Sequence, residues 1–455
     1  MLLKFTVRHP FTIAGYRQCL LDRVRLPIRL RGSNPVSRTV SQNSLNNNIM
    51  KTLSKTSRLL LRAFSIGVVA FAGFFTQGAG AAEVAKQPPI KFTGQPSSNV
   101  SLRQEVEHAI DKGLSWLEKS QSTNGCWSSP DYPAVTGLAL AAFELKAVGR
   151  DPKPEVEAVK KGYAYLMSCV QPDGGIYRKD LQSYNTSISL MALVLANRPE
   201  YRPAIEKARK FVIGLQNLPQ PGGSTNDAFV GGIGYGKGDK RPDLSNTSWA
   251  LEALYLSKPP GTAEELRLEA TDLNWKAAIH FIQSCQNLPS HNSSSQVSDD
   301  PRDKGGFIYS PVESKAGETN LPSGRVALRS YGSMSYAGLL SYIYADLKPD
   351  DPRVTAVVDW LRRNFTIEQN PDLGQQGLYY YYHTMAKALT IYGVDRLQTE
   401  DGRSINWREQ LALRLINLQK ADGSWANENG RWWEKDPSLV TAYSLIALDM
   451  VQKRL

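Results

Sequence analysis

The sequence of 455 residues contains 41% hydrophobic and 21% charged residues, an ordinary globular composition with material for a large core. Its net charge is +11, but residues 1–62 hold twelve Lys or Arg against one acid, so this segment carries the whole excess. Residues 63–455 are neutral in sum. The charge therefore gives no reason to predict a nucleic-acid partner.

A leader is predicted over residues 50–81. Four basic residues precede an uncharged run of 13 residues, 63–75, and Ala79 and Ala81 frame a cleavage site of small residues. This pattern is typical of a signal peptide and predicts export to the periplasm or the medium. An uncleaved anchor is the alternative, although 13 apolar residues are too few to span a bilayer. No stable membrane span is expected once the signal is removed.

Residues 1–49 do not show the sequence pattern of a signal peptide. A start codon assigned too early, with Met50 as the real start, explains them best, and an Arg-rich transit peptide is the alternative. A linker rich in Pro, Ser and Lys follows over residues 82–101. The folded domain is predicted to cover residues 102–455.

Three cysteines remain after the leader, Cys126, Cys169 and Cys285. An odd number allows at most one intramolecular disulfide and leaves a free thiol. No Cys-x-x-Cys or Cys/His spacing typical of a zinc site occurs, so at least two of these residues are interpreted as small buried hydrophobes.

Six similar units follow the linker. Each contains a turn in which Gln is followed by polar residues, Gly and an aromatic residue, as in QSTNGCW (121–127) and QKADGSW (419–425). After each turn a Thr or Ser is predicted to open an apolar helix of small residues. These residues are Thr136, Thr186, Thr247, Ser335, Thr384 and Thr441.

An amphipathic helix is predicted before each turn, so outer amphipathic helices alternate with inner apolar ones. Repeats that cannot bury their own apolar faces must stack on their neighbours. The predicted fold is therefore all-α, an α6/α6 toroid of six outer–inner helix pairs around a central cavity. An open helical solenoid is the alternative.

Insertions indicate the functional end of this toroid. The interval from turn Gln to helix Thr or Ser is 15 residues in repeats one, two and five, but 31, 49 and 22 in repeats three, four and six. The extra residues all precede inner helices, and insertions gathered on one face usually build a site. The longest, roughly 287–328, predicts a mobile lid or, alternatively, a tolerated surface insertion.

The Gln…Gly…aromatic turns and alternating helices resemble the repeats of the terpenoid cyclase and protein prenyltransferase superfamily, over roughly residues 104–454. The resemblance, to squalene cyclase-like and prenyltransferase/squalene oxidase repeat proteins, implies a cavity that binds isoprenoid chains or polyenes. It also implies that the repeat aromatics tie the outer helices together. Those aromatics are Trp127, Tyr177, Tyr235, Tyr309 and Trp425.

Squalene–hopene-type cyclases carry Asp-x-Asp-Asp-Thr before an inner helix. Asp243 and Thr247 match this motif, whereas Ser245 and Asn246 replace its two central acids. Protonation of an alkene requires an unusually acidic carboxylic acid, which a serine hydroxyl cannot replace. The usual polyene cyclisation is therefore not expected.

Zinc prenyltransferases carry a Tyr-His-Thr motif, which Tyr382, His383 and Thr384 resemble. Their Asp-Gly-Cys-Tyr motif aligns with residues 333–336, where both the aspartate and the cysteine are missing. One imidazole and two hydroxyls do not make a zinc site, which needs three protein ligands. No metal and no cofactor is predicted.

The residues just before the six helix-opening positions are expected to converge on the cavity mouth. Because imidazole and phenol exchange protons, His383 with Tyr382 or Tyr331 is the predicted acid/base set. A hydrogen bond from His383 into its helix start, without catalysis, is the alternative. The predicted orienting and binding residues are Asn185, Asn246, Asp243, Arg329, Tyr184 and Tyr380.

Several of these residues have a structural alternative. Asn185, Asn246 and Asp243 also suit helix caps, and Arg329 suits either an anionic head group or a nearby acid. Three functions stay open. The first is a cyclase-like toroid for an apolar, isoprenoid-type ligand; the second is a polysaccharide lyase-type enzyme; the third is a non-catalytic toroid that binds a lipid or a protein. The oligomeric state is not predicted.

Overall fold

The structure is a computed structural model that describes residues 99–147, 155–219, 227–239, 241–258 and 272–455. The predicted leader and nearly all of the predicted linker lie outside the described residues. All of the described residues fall in one compact unit of the chain.

The described residues form twelve α-helices and very little sheet. In chain order they are α1 (Val100–Ser120), α2 (Pro133–Ala147), α3 (Glu157–Ser168), α4 (Gln182–Ala196), α5 (Arg202–Ile213), α6 (Leu244–Leu256), α7 (Trp275–Ser284), α8 (Gly332–Tyr344), α9 (Pro352–Arg363), α10 (Leu378–Tyr392), α11 (Trp407–Leu418) and α12 (Pro437–Gln452). Short 3₁₀ turns span Pro199–Tyr201 and Arg431–Trp433. Helix α1 starts two residues before the predicted domain boundary.

Two small antiparallel hairpins complete the described structure. Strand β1 (Glu318–Asn320) pairs with β2 (Val326–Leu328), with Glu318 opposite Leu328. Strand β3 (Leu397–Gln398) pairs with β4 (Ser404–Ile405) in the same way.

Burial separates the helices into the two predicted types. Every residue of α8 is buried, and the other even-numbered helices are also buried on most faces. Outer helix α1 buries a stripe at helical spacing that includes Val106, Ile110, Gly113 and Leu117. The even-numbered helices therefore form the interior.

The contacts between the inner helices return to their starting point. Each inner helix contacts the next one along the chain, from α2 to α4 and onward through α6, α8 and α10 to α12. Helix α12 then contacts α2. The outer helices pack against this inner layer, and α11 contacts α1.

The repeated Thr and Ser residues do not open the inner helices, which begin three to six residues earlier. In five of the six repeats the hydroxyl instead accepts a hydrogen bond from the preceding turn. The Trp127 N–H donates to Thr136 Oγ1 at 3.1 Å, and the Trp425 N–H donates to Thr441 Oγ1 at 3.0 Å. Equivalent bonds hold the turns of repeats two, three and four. In five of the six repeats the hydroxyl thus fixes the turn on its inner helix, whereas Thr384 donates to Tyr380 O and Tyr381 O within α10; this corrects the prediction.

The turn glutamines connect neighbouring repeats. Gln121 Nε2 donates to Gly125 O within its turn, at 2.9 Å, and to Ala158 O in α3, at 2.7 Å. Gln419 Nε2 makes the same kind of bond to Ala109 O in α1, at 2.9 Å. The last repeat is therefore bonded to the first.

In five of the six repeats a glycine of the turn allows the next outer helix to approach. Gly231 has φ +94°, and a Cβ atom there would lie 1.8 Å from the Ala277 carbonyl oxygen of α7. Any other residue would be strained in its backbone and would collide with a backbone atom. The spacing of Gly and Gln in the sequence thus follows from the packing of successive repeats.

The prediction that the repeat aromatics tie the outer helices together holds for the two tryptophans and fails for Tyr235 and Tyr309. The indoles of Trp127 and Trp425 are buried and donate to carbonyls of the preceding outer helices, at 2.7 and 2.8 Å. In repeats three and four Ile233 and Phe307 hold this position, because their N–H groups bond the helix hydroxyl. Tyr235 and Tyr309, two residues later, line a cavity instead.

The longest insertion contains buried residues that are hydrogen-bonded to one another. Asn287 is buried, its Nδ2 donates to Leu328 O at 2.8 Å, and its Oδ1 accepts from the Ser298 N–H at 2.8 Å. Asp303, also buried, accepts from the Ser298 hydroxyl and the Ser330 N–H. These buried bonds fold the insertion on itself just before α8, and the mobile lid stays a prediction.

Cys126, Cys169 and Cys285 are buried and form no disulfide, as expected of small core residues. Within the described part of the chain, no three His, Cys, Asp or Glu side chains are grouped to hold a metal ion. No helix in that part combines the length and apolar character needed to cross a membrane.

Candidate functional site

A cavity of about 400 Å³ lies at the N-terminal ends of the inner helices. Its volume falls within the usual range of small-molecule sites. Each inner helix contributes a residue from near its start. These residues are Val135, Asn185, Asn246, Met334, Tyr380 and Leu439.

Aromatic rings dominate the described lining. Nine of its 20 residues are Tyr or Trp, namely Tyr132, Tyr184, Tyr235, Tyr309, Tyr331, Tyr380, Trp432, Trp433 and Tyr443. Trp432 and Trp433 are 42% and 48% exposed and have φ of 54° and 63°. Left-handed backbone at two consecutive tryptophans is strained, and such strain is characteristic of functional sites.

Glu434 is a buried carboxyl group in this lining. Its Oε1 accepts the Tyr380 N–H at 2.8 Å, the N–H groups of Leu378 and Tyr379 also bond it, and its Oε2 accepts from Asn427 Nδ2 at 2.6 Å. Glu434 therefore caps the N-terminus of α10 from another segment of the chain. Burial raises the pKa of Glu434 to about 7, although these hydrogen bonds act in the opposite direction.

Asp243 lies directly behind the lining as the N-cap of α6. Its Oδ1 accepts the Asn246 N–H and its Oδ2 accepts from Asn246 Nδ2, both at 2.8 Å. Burial raises the pKa of Asp243 to about 6, against the hydrogen bonds from Asn246, Tyr309 and Ser245. Tyr309 in turn lies 2.6 Å from Tyr235, oxygen to oxygen. A chain of polar groups thus connects the buried acid to the cavity.

The other predicted tyrosines of the mouth do reach the cavity. The hydroxyls of Tyr184 and Tyr443 are 2.8 Å apart, and burial raises the pKa of Tyr184 to about 12. Tyr380 lies 3.5 Å from Ser245, oxygen to oxygen. Burial also raises the pKa of Tyr331 well above its usual value. These phenols are therefore neutral near pH 7 and serve as hydrogen-bonding groups.

His383 is buried next to the cavity and is not among its described lining residues. Its ring stacks on Trp249, with centroids 5.5 Å apart, and lies 4.9 Å from the Tyr443 ring. Burial and the Lys387 ammonium lower the pKa of His383 well below its usual value, although the Tyr443 backbone raises it. The imidazole is thus neutral near pH 7.

Tyr382 points to the outer side of α10. Its hydroxyl donates to Ile367 O at 2.5 Å and accepts from Arg414 Nε at 3.3 Å. The structure therefore does not bring Tyr382 and His383 together over the cavity. Of the predicted acid/base set, only Tyr331 belongs to the lining.

The two remaining predicted residues have structural partners. Arg329 pairs with Asp372 and does not line the cavity. Asn185 does line it, but its Oδ1 accepts the Ala134 N–H at 3.1 Å and its Nδ2 donates to Asp180 O at 2.9 Å. Asn185 thus caps α2 from the neighbouring helix.

A buried ion pair joins α6 and α10 beneath His383. Lys387 and Glu252 have side chains that are 3% and 4% exposed, and Lys387 Nζ also lies 4.5 Å from the Trp249 ring centre. Burial lowers the pKa of Lys387, although the Glu252 carboxylate raises it.

The sequence analysis did not single out Glu434, Trp432, Trp433 or Tyr443. The signal for the first three was the longer interval in repeat six, where RWWE precedes the inner helix. For an aromatic side chain in an inner helix, such as Tyr443, the sequence alone does not tell whether it lines the cavity or packs in the core.

Two curated relatives match the chain in sequence. It is 28% identical over 172 residues to a squalene–hopene cyclase from Bradyrhizobium diazoefficiens, covering 32% of this chain and 26% of the relative. It is 24% identical over 147 residues to the terpene cyclase/mutase ntnI from a Nectria species, covering 30% and 20%. The matches thus span about a quarter or less of these relatives. No family model matches the chain.

Solved structures give weaker likenesses. The type II terpene cyclase MstE from Scytonema, in complex with geranylgeranyl dihydroxybenzoate, is 12% identical with a TM-score of 0.44, covering 78% of this chain and 99% of that one. A family 76 glycoside hydrolase from a bovine Bacteroides thetaiotaomicron strain is 11% identical with a TM-score of 0.48, covering 75% and 77%. TM-scores under 0.5 carry no functional conclusion.

Proposed function

We propose that this chain, which is related in sequence to the terpenoid cyclases, is an exported α6/α6 toroid that binds an apolar, isoprenoid-type ligand in its central cavity. The observation that carries the proposal is the aromatic lining, nine rings among 20 described residues. Burial of a hydrocarbon chain against these rings supplies roughly 25 cal/mol per Å² of apolar surface. The cycle of inner-helix contacts supports the toroid.

A second candidate function adds acid–base chemistry by Glu434. Glu434 is one of the lining residues, and its pKa of about 7 suits proton exchange near neutral pH. So weak an acid does not protonate an isolated alkene, and its reaction would be with an oxygen-containing group of the ligand. Tyr331 is the predicted phenol that remains available to hydrogen bond there.

The lyase-type alternative finds less support. In that chemistry Asn or Arg neutralises a uronate carboxylate, whereas here Arg329 is paired with Asp372 and both ends of the Asn185 amide are bonded within the protein. Lys315, the cation in the described lining, is paired with Glu313. A non-catalytic binding role is compatible with the same cavity, so turnover has to be measured separately from binding.

Binding is tested by titrating the purified full chain with farnesol while tryptophan fluorescence is recorded. We expect a saturable change that is lost when Trp432 and Trp433 are both replaced by Phe. Trp407→Phe is the matched control, because this indole is buried and bonded to Val394 O. No saturable change, or an equal change in the Trp432/Trp433 variant, would contradict the proposal, as would an unsaturated uronate product formed from acidic polysaccharide.

Export is tested on the same protein expressed with its leader. We expect the mature chain recovered outside the cytoplasm to begin just after Ala81, which its intact mass determines. An uncleaved chain in the cytoplasm would contradict export without affecting the binding proposal.

A further inference from the structure

Asn246 has one polar atom without a partner. The residue is 2% exposed and lines the cavity, and both its N–H and its Nδ2 donate to Asp243. A carboxylate only accepts hydrogen bonds, so the amide orientation is fixed and Oδ1 faces away from Asp243. Among the described residues Oδ1 meets no donor.

An unpaired buried acceptor is costly, so its presence at a cavity indicates a missing donor. Asn185 provides the internal comparison, because it is the same residue type in the same lining. Both ends of its amide are satisfied, by the Ala134 N–H and by Asp180 O. The open acceptor at Asn246 is thus a local feature and not a general property of this cavity.

The charges of the lining restrict what kind of donor fits. Lys315, the one cation in the described lining, pairs with Glu313 and lies 4.1 Å from the centre of the Tyr309 ring. Glu434 contributes a carboxyl group to the same lining. A diphosphate or carboxylate would meet no free cation there, so the lining favours an uncharged polar group.

We propose that Asn246 Oδ1 accepts a hydrogen bond from a hydroxyl group of the bound ligand, so that the cavity selects neutral isoprenoid alcohols over the corresponding ethers and hydrocarbons. This inference rests on the proposed function and adds the chemical class of the ligand. Asn246 binds and positions this hydroxyl, and no bond is formed or broken.

The test compares farnesol with farnesyl methyl ether, which keeps the chain and the oxygen but lacks the donor. Each is titrated against wild type, Asn246→Ala, and Ser341→Ala as the control, because Ser341 is buried in inner helix α8, bonded to Ala337 O, and outside the lining. In wild type we expect the alcohol to bind about tenfold more tightly than the ether. That ratio should fall to near one in Asn246→Ala and stay unchanged in Ser341→Ala.

A second measurement guards against misfolding of Asn246→Ala. This variant should bind farnesyl methyl ether as tightly as wild type does, because the ether offers no donor to Asn246 Oδ1. Equal wild-type affinities for farnesol and its ether would overturn this inference while leaving the proposed function standing. Failure of both probes to bind wild type would overturn the proposed function. An undiminished ratio in Asn246→Ala would show that another group recognises the hydroxyl.

Discussion

The titration of Glu434 should make stability depend on pH in a way that Glu434→Gln removes. The pKa of Glu434 is raised from 4.5 to about 7 by burial in the folded chain. Between these pH values the folded state keeps the proton that the unfolded state has released, so the free energy of unfolding falls as pH rises. From pH 4.5 to about pH 7 this single group should lower the free energy of unfolding by about 3 kcal/mol.

The measurement is urea unfolding of wild type and Glu434→Gln at half-unit steps from pH 4.5 to pH 8. Glutamine keeps the acceptor oxygen for the start of α10 but carries no charge. The stability of wild type relative to the variant should therefore decline with rising pH and level off above about pH 7.5. The raised pKa of Asp243 acts in both proteins and cancels in the difference, provided that the two groups are independent.

Parallel stability curves for the two proteins would refute the reasoning, because they would mean that the Glu434 carboxyl titrates alike in both states. A difference that grows in favour of wild type with rising pH would also refute it. In that case the hydrogen bonds from α10 and Asn427 would outweigh burial, and the pKa of Glu434 would be lowered.

Two further predictions concern the framework and are both read from denaturation midpoints. Gly231→Ala should lower the free energy of unfolding by at least about 2 kcal/mol, because its Cβ would lie 1.8 Å from Ala277 O. Gly238→Ala, with φ +83° and no atom within 4 Å of the added Cβ, should lower it by about 1 kcal/mol. Equal losses of stability would refute the close-approach argument. Lys387→Met should cost about 3–5 kcal/mol by leaving the Glu252 charge buried and unpaired. Adding Glu252→Leu should recover most of that loss, and a double variant as unstable as the single one would contradict this account of the ion pair.

The helical repeat was predictable because its signals are local and occur six times. Gly and the hydroxyl residue recur because, in five of the six repeats, the glycine lets the next outer helix approach and the hydroxyl bonds the turn of its own repeat. Gln recurs because in four repeats its side chain bonds the next repeat. Helix starts were misplaced for a physical reason. A Thr that accepts from a distant turn, as Thr136 does from Trp127, looks in sequence like a Thr at an N-cap.

The site was less predictable because it depends on contacts across the ring. The register rule placed Asn185 and Asn246 at the cavity correctly, but nothing in the sequence showed that one amide is satisfied by Ala134 while the other is open. The same rule favoured His383, which stacks on Trp249 and is not among the described lining residues. Helix register gives the height of a residue along the axis, and packing between neighbours decides which side chain reaches the cavity.

The pKa values of the two acids near the cavity follow from their role as buried helix caps. Asp243 and Glu434 each accept the first N–H groups of an inner helix, where the helix dipole favours a negative charge. Burial opposes that charge and brings their pKa values to about 6 and about 7. Groups poised there exchange protons with a hydroxyl, whereas protonation of an alkene demands a far stronger acid. The replacement of two motif acids by Ser245 and Asn246 and the open acceptor of Asn246 are therefore consistent with one function, the recognition of an oxygen-bearing ligand.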